Sequence, residues 1–109
     1  MTSQTQPRWH TMRTDDSRAV EEKLREVFPN TDAYRYNSAS LRVRVIDERF
    51  RGKSVEERDS MVEPLLAQLP KETQSDVLNL LTLAPDEVEI STKFALRNAE
   101  FEDPSRSNF

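Results

Sequence analysis

The chain has 109 residues, 35% hydrophobic and 33% charged, with a formal net charge of −4. That length suits one small core, and no apolar run approaches the roughly 18 residues of a membrane-spanning helix. The absence of cysteine excludes disulfides, thiolate metal sites and cysteine nucleophiles within the chain; it fits a reducing, cytoplasmic setting.

Residues 1–14, MTSQTQPRWHTMRT, are polar, lack periodicity and read as a disordered tail with no signal peptide. Trp9 and the only histidine, His10, fall inside it. One histidine without cysteine makes no recognisable transition-metal site. The first helix is read in DDSRAVEEKLREVFPN, with Asp15, Asp16 or Ser17 as its N-cap. Val20, Leu24, Val27 and Phe28 form its apolar stripe, and Pro29 and Asn30 stop it.

DAYRYN and LRVRVID follow, joined by turn residues Asn37 and Ser38. Leu41, Val43 and Val45 alternate with Arg42, Arg44 and Ile46, so the pair reads as a hairpin with one buried face and one open face of arginines. Next, Ser54 and Glu57 spell a capping box. Val55, Val62, Leu65, Leu66 and Leu69 then mark the buried stripe of a second helix. Pro64 predicts a kink there, or a division into two short helices. KETQSD reads as a polar connection and VLNLLTL as a third strand. Pro85, Asp86 and Glu87 predict a last helix, running to about Leu96 on Val88, Ile90, Phe94 and Ala95. Residues 97–109 read as an acidic tail, leaving a domain over 15–96.

The order is α-β-β-α-β-α. A helical crossover between the second and third strands makes them parallel if they are neighbours. The expected fold is α+β, a mixed three-stranded sheet with helices packed on one face.

Charge is uneven along this order. Residues 35–53 hold Arg35, Arg42, Arg44, Arg49, Arg51 and Lys53 against Asp47 and Glu48. Residues 86–103 carry six carboxylates against Lys93 and Arg97. The basic stretch meets either a partner or the chain's own acidic segment. Gly52, the only glycine, precedes an N-cap, where a positive φ or a close chain approach favours glycine.

The stretch FRGKSVEERDSMV resembles the signature of the BolA family: Phe50, Gly52, Lys53, Ser54, Val55, Arg58 and Val62 stand at its positions. Upstream, VEEKLREVFPNTD is similar to the family's first helix and proline stop. Downstream, LNLLTLAPDE is similar to its last strand and helix start, so the resemblance covers roughly residues 17–90. It implies a fold like that of class II KH domains, without their G-x-x-G loop. It also implies a monothiol glutaredoxin partner, a shared iron–sulfur cluster, and DNA binding in some members. The family's cluster ligand is the histidine after the motif's arginine; here that position is Asp59. The loop that would supply a second Cys or His ligand reads Asn37-Ser38-Ala39-Ser40. Carboxylate is a poor replacement in such a cluster, so no metal and no cofactor are expected.

The sequence shows no P-loop, no G-x-G-x-x-G and no Ser-His-Asp set outside the tail, and it reads as a non-enzyme. The expected function is a BolA-like protein-interaction module, binding its partner through Phe50, Arg51, Gly52, Lys53, Arg58 and Asp59. The alternative is a nucleic-acid-binding module using Arg42, Arg44, Arg49, Arg51, Lys53 and Arg58.

Overall fold

The computed structural model describes residues 8–89 and 92–104. Helix α1 spans Asp15–Arg25. Thr14, one residue before the expected candidates, is its N-cap: the Thr14 amide donates to Ser17 Oγ at 2.8 Å and the Thr14 hydroxyl accepts from the Ser17 amide. Asp15 and Asp16 then occupy the first turn, where carboxylates complement the helix dipole. Val20, Leu24 and Phe28 face the core, whereas Val27 turns outward.

Strand β1 (Thr31–Asn37) pairs antiparallel with β2 (Ser40–Ile46), placing Ala33 opposite Val43 and Tyr34 opposite Arg42. The hairpin turn is Ser38-Ala39, and Asn37 Oδ1 accepts from the Ala39 amide at 2.9 Å. Strand β3 (Val77–Leu83) runs parallel to β2, with Leu80 opposite Val43. The order is β1-β2-β3, the mixed three-stranded sheet expected from the crossover.

Helix α2 (Val55–Leu66) is one helix rather than two. Its capping box is formed: the Ser54 amide donates to Glu57 Oε1 at 2.8 Å, and the Glu57 amide donates to Ser54 Oγ at 3.1 Å. Pro64 lies in its last turn, so the missing amide interrupts little of the ladder. KETQSD is not a connection but a short helix, α3 (Lys71–Asp76), launched from Pro70; Gln74 Nε2 ties it to the Leu69 carbonyl at 2.7 Å.

The last helix also departs from expectation. Pro85–Val88 forms a 3-10 turn, and α4 spans Thr92–Glu102, well into the expected acidic tail. Ile90, expected in that helix, lies outside the described residues. At the other end, Arg8–Met12 form a 3-10 turn where disorder was expected, and Trp9 is 3% exposed.

These two terminal segments change the layering. Val20, Leu24, Phe28, Phe50 and Val62 pack on the sheet face that carries Ala33, Leu41, Val43 and Val45. The opposite face, carrying Tyr34, Leu81 and Leu83, is covered by Trp9 and by Phe101 of α4. Helical segments therefore pack on both faces, not one. The cover is aromatic: Trp9 lies 5.8 Å from Tyr34 and 5.4 Å from Phe101, ring to ring, and the Tyr34 hydroxyl donates to the Phe101 carbonyl at 3.0 Å. Among the described residues, no helix is long and apolar enough to cross a membrane.

Candidate functional site

The stretch that carries the family-like pattern begins in a 3-10 turn, Glu48–Phe50, capped by Asp47, whose Oδ1 accepts from the Arg49 amide at 2.9 Å. Phe50 is fully buried and stacks on Phe28 at 5.5 Å, so it anchors the turn and offers a partner no surface. Gly52 has φ +76°, and a Cβ there would meet nothing within 4 Å. Backbone conformation alone, not space, asks for glycine. Arg51 is exposed and ion-paired with Glu48 and with Asp86, the latter at 2.8 Å; both partners hold their carboxyls below the usual range through that guanidinium. Lys53 is exposed beside the helix start.

Arg58 points inward. Its guanidinium grips the Glu87 carboxylate with two hydrogen bonds, at 2.7 and 2.9 Å. It also donates to the Thr82 carbonyl at 3.0 Å and the Lys53 carbonyl at 2.9 Å. One side chain thereby locks α2, β3, the glycine turn and the 3-10 turn together. Hydrogen bonding to Arg58 holds Glu87 below the ordinary carboxylate range.

The expected open face of arginines is covered. Arg42 is 1% exposed; it lies 3.7 Å from the Tyr36 ring centre and donates to the Tyr34 hydroxyl at 3.3 Å. Burial pushes the Tyr34 phenol up, and Arg42 partly offsets it. Arg44 is buried between Asp32 at 2.8 Å, Asn98 at 2.9 Å and Glu102, with its guanidinium over the Phe101 ring. Arg49 is exposed but held by Asp47, by the Val27 carbonyl at 2.6 Å and by the Phe28 ring. The period-two pattern correctly alternates the two faces. What it omits is α4 and the N-terminal turn, whose aromatic and acidic side chains match those arginines. Of the two readings of the basic stretch, pairing with the chain's own acidic segment holds for Arg44 and Arg51, and Arg58, just beyond that stretch, pairs with Glu87 of the same segment. The six proposed nucleic-acid contacts therefore form no shared basic surface.

Asp59 stands apart from this frame. Val55, Asp59, Glu63 and Leu66 follow one face of α2 and wall an open groove of about 570 Å³. Val77 to Leu80 of β3, Ala67, Gln74 and Arg97 of α4 complete its lining. The groove has apolar rims: Val55 is 37% and Leu78 65% exposed. Leu78 is squeezed outward by a register shift, since Val77 pairs with Leu41 and Asn79 already pairs with Arg42. Asp59 Oδ1 is shut from solvent with no hydrogen-bond partner. Burial pushes the Asp59 carboxyl up, Glu63 and Glu56 add repulsion, and Arg97 and the Thr82 side chain oppose them.

The iron–sulfur cluster implied by the resemblance does not fit these donors. Asp59 is a hard carboxylate drawn toward its protonated form, and the hairpin turn offers Asn37, already engaged with the Ala39 amide. His10 packs edge-on against Trp9 at 4.2 Å, in the cover of the opposite sheet face. Among the described residues, no group of three or more His, Asp or Glu could hold a metal ion.

Of the six expected partner-binding residues, Phe50 and Arg58 are core. Arg51, Gly52 and Lys53 are exposed at the turn, and Asp59 opens into the groove. Sequence reasoning missed the groove itself. Its signal was the consecutive leucines around Asn79, which break strict alternation in VLNLLTL. No family model matches the chain, and comparison with curated proteins and with solved structures finds no significant match.

Proposed function

We propose that the chain is a BolA-like protein-interaction module, non-catalytic and cytoplasmic, that works without ligating an iron–sulfur cluster. The observation that carries this reading is the groove between α2 and the β3 edge. It joins exposed Val55 and Leu78 to the carboxylates Asp59 and Glu63, and it adjoins the family-like stretch. An apolar rim around a few fixed polar groups suits a protein surface. It suits nucleic acid poorly, because the arginines available for phosphate are buried or ion-paired. The strand order and the helical crossover agree with the class II KH-like arrangement that the resemblance implies.

The test mixes the chain with a monothiol glutaredoxin, first alone and then with iron and sulfide. The expected result is association measurable by calorimetry without the visible spectrum of a shared cluster. A cluster spectrum would show that Asp59 or His10 ligates after all, and Asp59→His is the companion variant that should create one. Association lost on Leu78→Lys supports the groove as the contact surface. Binding of a single-stranded oligonucleotide at physiological ionic strength, abolished by Lys53→Glu, would replace this reading with the nucleic-acid one.

A further inference from the structure

From the same groove we infer that its occupant is an extended segment of a partner protein, alternating apolar and basic residues. It adds as a strand along the edge of β3 and sets a lysine or arginine over Asp59 and Glu63. The inference rests on the interaction reading above and names the chemistry of the partner.

Three features converge. First, among the described residues β3 pairs with β2 alone, so Val77–Leu80 lines the groove as a sheet edge, together with residues of α2 and Arg97. Sheet edges recruit extended chains through main-chain hydrogen bonds unless charge, proline or a covering segment blunts them. Val77–Leu80 carries no charge and no proline. The other edge, β1, carries Asp32 and Arg35, both tied into ion pairs with neighbouring elements.

Second, the α2 wall is acidic where the edge is apolar. Asp59 and Glu63 lie one turn apart, with Glu56 nearby, and among the described lining residues Arg97 of α4 is the one cation. A lysine ammonium brings three donors to such a wall, and an arginine brings five. The chain's net charge of −4 draws a basic partner from a distance.

Third, the competing occupants match less well. A second copy would offer its own VLNLLTL edge, which contains no cation for the acidic wall. A polynucleotide would bring phosphate against Asp59 and Glu63, which repel it.

The experiment titrates the full chain into a fluorescein-labelled hexapeptide of alternating lysine and valine, reading anisotropy. Alongside it run the glutamate–valine counterpart and a lysine–valine peptide N-methylated on alternate amides. Binding of the lysine–valine peptide alone is the expected result. Asp59→Asn should weaken it about tenfold, as loss of one close charge pair does, and N-methylation should abolish it by removing the edge-pairing donors. Equal binding of the N-methylated peptide overturns strand addition, and equal binding of the acidic peptide overturns the charge match. Concentration-dependent dimerisation blocked by Leu78→Lys would assign the edge to a second copy instead. If the peptide fails to bind while Leu78→Lys still blocks the glutaredoxin, the interaction reading stands and strand docking falls.

Discussion

Gly52 and Asp59 lie seven positions apart and ask different things of their neighbours. At Gly52 the only obstacle to a side chain is φ +76°, because the space around it is open. Gly52→Ala should therefore cost about 1 kcal/mol, the strain of an L-residue in the left-handed region. Gly52→Asn should cost less, since asparagine tolerates that region. Urea midpoints of the two variants decide it: equal losses would mean that something other than φ is at work. At Asp59 the cost comes from charge. Its folded carboxyl sits above the ordinary 3.8, so between 3.8 and the raised value the folded chain holds a proton that the unfolded chain releases. Stability then falls as pH rises through that window, and the full penalty is present above it. Asp59→Asn removes the charge and should stabilise the fold above that window, with little difference below pH 3.8. A variant less stable above the window would mean that the carboxylate is needed in place.

The elements that the sequence displayed best are those whose signals are local. The Ser54–Glu57 box, the hairpin around Asn37 and the apolar run Val77–Leu83 depend on neighbours within a few residues, and all three stand as read. α3 escaped because six polar residues carry no apolar period; Pro70 starts that helix and Gln74 holds it against the Leu69 carbonyl. Arg58 escaped for a different reason. Its family-like position marks it as a surface residue, but its guanidinium is consumed by Glu87, 29 positions away, a pairing that no local pattern encodes. That pair should dominate the mechanics of α2. Glu87→Gln leaves the buried guanidinium without its counter-charge and frees the Ala84 amide less completely; roughly 2–3 kcal/mol should be lost. The same pair sets an acid limit. Glu87 is held below its ordinary 4.5, so its contribution is complete above that value and disappears as pH falls through the lowered one. Acid unfolding of Glu87→Gln should accordingly be flatter than that of the parent; identical acid profiles would place the limiting carboxylate elsewhere.

At the scale of the molecule, the sheet is covered on both faces, and the second cover comes from the two segments that read as tails. Trp9 and Phe101 stand 92 positions apart in sequence yet meet over Tyr34, and between them they hide Arg44, whose charge is met by Asp32 and Glu102. Neither segment declares this alone, because each contributes one aromatic residue to a polar background. Only closure of the chain brings the two together. Trp9 decides between the two pictures. In a polar tail, Trp9→Ala would change stability by no more than a few tenths of a kcal/mol. As the centre of the second core it strips the stack on Tyr34, the ring beside the Arg13 and Arg44 guanidinium groups, and the indole hydrogen bond to Glu102 at 3.3 Å. The expected loss is about 3 kcal/mol, the low end for truncating a buried tryptophan to alanine. Urea unfolding followed by circular dichroism measures it without relying on the residue that is removed. The intact chain supplies an independent reading: emission from its single tryptophan should be blue-shifted and resist acrylamide quenching until the fold melts. An emission spectrum already typical of water in the native chain, with Trp9→Ala near neutral, would return residues 8–14 to the tail and uncover the arginine face.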